Sequence, residues 1–261
     1  MILRLLFLSC CLSALWGQVA DDATLKKYLD WQESQPPVQS WDQEEFLARY
    51  RAKLDASGLN RAAADQAITA LSHRLDADEA AFWSKIYSDR NPGFNTSPNR
   101  LLQDAIRGRK PGRALDVEMG QGRHAIFLAE QGWEVTGFDF SPKALELAQQ
   151  QAKKAGLKIE TVLSKDDAFD FGKDRWDLMV FLYPMEKRSY GKAREALAPG
   201  GIVVVEGFHQ EVKGAAIRYA SNELLQRFDG FIILYYEDSV GLADWGKTEL
   251  RLVKLVAQKP R

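Results

Sequence analysis

The chain has 261 residues, 46% of them hydrophobic and 27% charged, with a formal net charge of −1. That length allows one or two domains and an ample apolar core, while the balanced charge excludes the broad basic face that a nucleic-acid partner requires. Its only cysteines, Cys10 and Cys11, leave no disulfide framework, thiolate metal set or cysteine nucleophile beyond the first twenty residues.

Residues 1–20 read as a secretory signal peptide. A single cation, Arg4, precedes a nearly unbroken apolar run from Leu5 to Trp16, and Gly17 to Ala20 lead into Asp21 and Asp22. Cleavage after Ala20 and cleavage after Gly17 are both open. The export that this predicts has two rivals, an uncleaved membrane anchor and a misassigned start upstream of a cytoplasmic enzyme. No run after residue 20 is apolar for long enough to span a bilayer, so the mature chain is expected to have no membrane span.

Residues 21–80 are expected to form a helical N-terminal extension. Leu25, Tyr28, Leu29 and Trp31 make one apolar stripe, Phe46, Tyr50 and Leu54 a second after the Gln35-Pro36-Pro37 break, and Ala62 to Leu75 a third. These stripes are packing faces, a cap over a ligand pocket, or a partner-binding face. Trp83 and Tyr87 lie four apart on one helical face. Asn91 to Pro98, with two prolines and a glycine, reads as a loop at a pocket mouth, where loops commonly act as lids.

The stretch from Arg113 to Ser141 carries the strongest signal. Ala114, Leu115 and Val117 around Asp116 predict a buried parallel strand, and Gly120 and Gly122 follow directly. Glycines here let the backbone turn sharply and approach a ligand. Ala125, Ile126, Leu128 and Ala129 recur with helical spacing, so the turn opens a helix whose N-terminal amides suit an anionic group. Val135 to Phe138 then run into Asp139, with Phe140 behind it. An acid at that strand tip is placed to accept hydrogen bonds from ribose hydroxyls.

Strands and helices alternate from Arg113 onward, which predicts an α/β fold with a doubly wound, mostly parallel sheet. Ser141 and Pro142 are N-cap and N1 of the helix running to Ala155. Phe231 to Tyr236 and Thr248 to Val256 are expected to close the sheet as an antiparallel edge hairpin, bringing it to seven strands.

Two kinds of nucleoside cofactor use a strand–glycine turn–helix–strand–acid arrangement. A dinucleotide site needs three glycines, and Ala125 stands where the third belongs. Asp116 is no part of that fingerprint. Asp116, Gly120 and Gly122 instead resemble the first motif of the class I methyltransferases, with Glu118 where a glycine is expected. Further matches are Asp167-Ala168 after strand three, Trp176-Asp177-Leu178 opening strand four, and Leu197, Pro199, Gly200 and Gly201 before strand five. Phe82-Trp83 to Tyr87, Pro98-Asn99 and Glu206 to His209 are similar to the tellurite-resistance and thiopurine-methyltransferase-like subfamily.

The resemblance covers residues 81–261, the expected methyltransferase domain. It implies a Rossmann-like fold, S-adenosyl-L-methionine as cofactor and a small-molecule methyl acceptor such as a thiol or metalloid oxyanion. The implied cofactor residues are Trp83, Tyr87, Asp116, Glu118, Gly120, Gly122, Asp139, Phe140, Asp167, Ala168 and Tyr183. His209, ending strand five, and Tyr183, ending strand four, are the candidate catalytic residues; His209 is equally an ordinary loop histidine. His124 is expected to face solvent, and Arg123 either meets the cofactor carboxylate or lies on the surface. No histidine spacing suggests a metal site, and nothing sets the oligomeric state. Glu118 either adjusts cofactor binding or marks a non-catalytic, exported binding or scaffold protein on the same fold.

Overall fold

The computed structural model describes residues 19–35, 43–89, 95–184, 189–212, 218–244 and 248–261. The signal-peptide reading therefore lies, except for residues 19 and 20, outside the described residues, as do the Pro36-Pro37 break and residues 91–94 of the expected lid loop. No described helix is long and apolar enough to cross a membrane.

The chain divides into two compact units, Met1–Phe82 and Trp83–Arg261. The first holds α1 (Asp22–Glu33), α2 (Gln43–Ala56) and most of α3 (Arg61–Ser88). Asp21 caps α1 by accepting from Thr24 N at 2.7 Å, and Asn60 precedes α3, accepting from Ala63 N at 2.9 Å. Tyr28, Phe46, Leu47, Tyr50 and Leu71 form the core of this unit. The third apolar stripe and the Trp83–Tyr87 segment, read separately from the sequence, belong to one 28-residue helix. No glycine or proline interrupts Arg61 to Ser88, so nothing ends it earlier.

The second unit runs α4 (Arg100–Ile106), β1 (Arg113–Val117), α5 (Arg123–Glu130), β2 (Glu134–Asp139), α6 (Pro142–Lys154), β3 (Glu160–Leu163) and β4 (Trp176–Leu182). It continues with α7 (Ser189–Ala196), β5 (Leu197–His209), β6 (Arg218–Tyr219), α8 (Glu223–Arg227), β7 (Ile232–Ala243) and β8 (Thr248–Gln258). The described strands make one sheet whose main path, β3-β2-β1-β4-β5-β8-β7, has the seven strands that the sequence predicts. The two-residue β6, not anticipated, adds an eighth strand beside β5. Strands β1 to β5 pair in parallel, and β8 runs antiparallel to both β5 and β7.

The central strands are buried on both faces, which is why they read as continuous apolar runs. Leu178, Val180, Ile202 and Val204 pack under α4, α5 and α6, while Met179, Phe181, Val203 and Val205 belong to the opposite core with Tyr190 and Phe228. Strand β2 lies on one side of β1 and β4 on the other. The strand order thus reverses beside β1, and a crevice opens past the carboxyl ends of β1 and β4, where ligands of such sheets bind.

Candidate functional site

The first wall of this crevice is the turn between β1 and α5. Three of its residues lie in the left-handed region: Glu118 at φ 52°, Gly120 at 55° and Gly122 at 81°. Met119 N donates to Phe138 O at 2.9 Å, and Gly120 N donates to Asp139 Oδ2 at 2.8 Å, so the turn is tied to β2 from both sides. Gly122 serves as N-cap of α5 without a side chain. A Cβ there would stand 2.9 Å from Ala148 Cβ on α6, closer than real carbon contacts. Gly122→Ala is expected to cost about 2–3 kcal/mol, combining left-handed strain with displacement of α6; urea unfolding measures it, and a loss under about 0.5 kcal/mol would contradict this packing.

Two carboxylates frame the turn. Asp116 is 2% exposed, and its Oδ2 has no hydrogen-bond partner among the described residues. Burial pushes its carboxyl up to about 7, against the pull of Arg123 and the Ala125 amide. Asp139 is also buried, with Oδ1 accepting from Ser141 N and Oδ2 from Gly120 N, both at 2.8 Å. Burial raises it to about 6 despite these amides. Phe140, next to it, is half-buried.

From α3, Trp83 stacks on Tyr87 with ring centroids 5.8 Å apart. The Tyr87 hydroxyl lies 2.8 Å from where a Cβ on Gly120 would stand, so the phenol covers the glycine turn. Burial and the charges of Asp139 and Glu118 push that phenol above its ordinary range.

The opposite wall is built by Tyr183, Glu206, Asp244 and Arg123. Tyr183, the residue after β4, has φ 59°, a strained position for a residue with a bulky side chain. Its hydroxyl donates to the Glu206 carboxylate and accepts from Asp244 N at 3.0 Å. Burial raises Tyr183 well above the usual phenol range, reinforced by the Glu206 charge. Glu206, on β5, is 3% exposed, and burial raises its carboxyl against hydrogen bonds from Tyr183 and Asn99.

Two histidine and arginine expectations need correction. Arg123 is not a surface arginine: its side chain is 9% exposed and pairs with Asp244 at 2.9 Å. It also donates to the carbonyls of Asn95 and Ser97, at 3.1 and 3.0 Å. Asp244, distant in sequence, covers the first turn of α5 here. His124 does not face solvent; it is 5% exposed, with Nδ1 4.0 Å from Asp116 Oδ1 and burial depressing its pKa far below the ordinary value.

The remaining residues spread outward. Asp167 and Ala168 are exposed, whereas Asp166 is 7% exposed, and Lys192 Nζ donates to the backbone oxygens of Asp166 and Asp167. His209 is 1% exposed, with Nε2 3.1 Å from Ser221 Oγ and Nδ1 accepting from Glu211 N at 3.3 Å. Accepting at Nδ1 makes Nε2 the donor of the neutral ring, so His209 cannot draw a proton from Ser221. The described end of the expected lid, Asn95 to Pro98, is tied down by Arg123 and by Asn95 Nδ2 donating to Asp244 at 2.7 Å. Sequence reading singled out Glu206 as a group that hydrogen-bonds near the acceptor or satisfies a backbone N–H, and the structure gives it to the Tyr183 hydroxyl; it missed Asp244 and Asp166, for which the adjacent acids Asp166-Asp167 were the one available signal.

Residues 114–201 match the family model of the methyltransferase domain. The chain is similar to demethylmenaquinone methyltransferase of Thermus thermophilus, 32% identical over 123 residues, which cover 44% of this chain and 56% of that protein. It thus spans little more than half of that relative's length. Among solved structures, it is similar to the N-methyltransferase NodS of Bradyrhizobium japonicum, determined with S-adenosyl-L-homocysteine, with a TM-score of 0.56 and 15% identity over 70% of this chain and 98% of that one. TehB of Haemophilus influenzae gives a TM-score of 0.55 with 20% identity, over 60% and 61% of the two chains. The fold is the Rossmann-like fold of class I methyltransferases, with added N-terminal helices.

The residues at the turn fit the cofactor that the first motif implies. The orphaned Asp116 oxygen is a buried acceptor in want of a cation or donor, as the ammonium group of an amino-acid moiety is. Gly120 and Gly122 hold a backbone shape that a β-carbon would strain, and Asp139 stands at the tip of β2. Glu118 departs from the motif by adding a half-buried carboxylate at a left-handed position.

Proposed function

We propose that this chain is an S-adenosylmethionine-dependent methyltransferase acting on a small-molecule acceptor. The observation that carries the reading is the unpartnered, buried Asp116 Oδ2 beneath a left-handed glycine turn, at the point where the strand order reverses. The family match over residues 114–201 supports it. The similarity of the earlier-quoted motifs to the tellurite-resistance and thiopurine-methyltransferase-like subfamily is the finer part of the same proposal.

When bound, the cofactor supplies an electrophilic methyl group on a sulfonium; the protein supplies position and dryness. Asp116 accepts from the ammonium group. The α5 N-terminus presents amides to the carboxylate end. Asp139, at the tip of β2, would hold the ribose hydroxyls. Tyr183, fixed by Glu206 and Asp244, bounds the space in which the acceptor approaches.

Calorimetric titration of the full chain with S-adenosylmethionine and S-adenosylhomocysteine tests this. Micromolar dissociation constants for both are expected, and the absence of binding at millimolar ligand would overturn the reading.

A further inference from the structure

Strand β7 ends the sheet: among the described residues it pairs with β8 on one side and with no strand on the other. Its outer edge therefore carries a row of main-chain N–H and C=O groups with no ladder partner. Along its twelve residues stand six of the eleven exposed large hydrophobic residues among those described: Ile232, Ile233, Leu234, Tyr235, Val240 and Leu242. Proteins commonly blunt such an edge with lysine, proline or an unpaired charge. Ile232 to Ala243 has no lysine or proline. Its two acids are neutralised within the chain, Glu237 by Lys254 at 3.4 Å and Asp238 by Arg251 at 2.8 Å. The register shifts once, between Ile233 and Tyr235, and is regular from Tyr235 to Ala243.

We propose that this edge pairs with the same edge of a second copy of the chain, β7 antiparallel to β7 about a two-fold axis, so that one sheet runs through both copies. The inference is independent of the methyltransferase reading. A free edge is complementary to itself: each copy satisfies the main-chain groups of the other, and the strand's acids already have their cations. The overlap and its apolar flanks would cover about 1,000 Å² in all, the size of a reversible interface rather than a permanent one.

An axis perpendicular to the sheet sets one residue opposite itself and keeps every side chain on its own face. Charge and register choose that residue. An axis at Glu237 or Asp238 sets an acid against its own copy. An axis at Tyr236 runs the overlap through the register shift, where a bulged strand bends away. At Ser239 the overlap covers Tyr235 to Ala243, and no acid lies directly opposite an acid. Asp238 then faces Val240 of the second copy, Glu237 faces Gly241, and Tyr236 faces Leu242. The two Val240 side chains lie diagonally across the axis, within reach of each other.

Sedimentation velocity of the full chain tests this. A concentration-dependent dimer with a dissociation constant of about 10 μM is expected. Val240 is 69% exposed, so replacing it leaves the fold intact. Thermal unfolding of its variants at about 1 μM should match wild type within about 2 °C. Val240→Glu sets like charges opposite each other twice, once on each side of the axis, and should weaken the dimer about tenfold or more. Val240→Lys meets Asp238 of the second copy instead and should hold or tighten the dimer.

Ser239→Cys would stand opposite its own copy with Cα atoms about 4.5–5.5 Å apart, within disulfide reach. Oxidation should link position 239 of the two copies, identified by mass spectrometry of the joined peptide. A chain that stays monomeric up to about 200 μM overturns the proposal. So does a dimer that Val240→Glu leaves intact, one that Val240→Lys weakens equally, or one that forms no linkage at position 239.

Discussion

Replacing Asp116 with asparagine is expected to abolish measurable S-adenosylhomocysteine binding while making the unloaded protein more stable near pH 8. The two effects share one cause. Asp116 is fully enclosed, and burial raises its carboxyl from the ordinary 3.8 to about 7. Its folded-state value therefore exceeds its unfolded one. The stability that the protonated form contributes is complete below about pH 4 and is lost as pH rises through about 7. A rise of that size corresponds to at most about 4 kcal/mol, and relaxation around the site reduces the realised penalty to about 1–3 kcal/mol. The amide keeps the shape without the charge, so Tm should increase by several degrees near pH 8 and hardly at all near pH 4. Thermal unfolding of both proteins at the two pH values, paired with calorimetry, decides the matter. A variant that loses the ligand but gains no stability near pH 8 would show that Asp116 is not a strained, unpaired charge.

Glu118 is expected to set the preference between cofactor and product. S-adenosylmethionine carries a sulfonium and has one more positive charge than S-adenosylhomocysteine. A carboxylate a few ångströms away, in an effective dielectric near 20, is worth up to about 3–4 kcal/mol to that charge. Glu118 is half-buried, so solvent reduces this to about 1–2 kcal/mol. Glu118→Gln should therefore narrow the affinity ratio of the two ligands by about 5- to 30-fold. Glu118→Gly should do the same and also stabilise the fold by about 1 kcal/mol, because φ is 52° at this position. An unchanged ratio in both variants would place the Glu118 charge away from the sulfonium, and the departure from the motif would then be a matter of backbone shape alone.

These expectations rest on parts of the molecule that differ in how far local sequence announces them. The β1 turn, Asp139 and the Ser141-Pro142 helix start were legible, because each is set by neighbours within a few residues: a glycine that admits a left-handed backbone, an acid at a strand tip, a hydroxyl ahead of a proline. The strand pair Trp176–Leu182 and Leu197–His209 was legible from apolar runs and from the Pro199-Gly200-Gly201 turn. Helix α3 was read in two pieces because its apolar residues do not keep to one face along its length. Arg123 and His124 were misplaced for another reason. Helical periodicity tells which face is apolar, not that Asp244, far along the chain, will cover the polar first turn. Glu206 sat inside an apolar run and was noticed, yet its hydrogen bond from Tyr183 joins two strands and is not local.

The Tyr87 phenol over Gly120 has a thermodynamic consequence for every affinity measured on this protein. A ring that covers the glycine turn is an internal competitor, tethered at high effective concentration, and a ligand seating itself there must first displace it. The observed dissociation constant is then the intrinsic one divided by the fraction of molecules whose cradle is open. Each 1.4 kcal/mol holding the ring in place weakens apparent binding about tenfold. Because Tyr87 is one turn after Trp83 near the end of a long continuous helix, whatever frays or firms that helix end tunes occupancy of the site without touching the ligand.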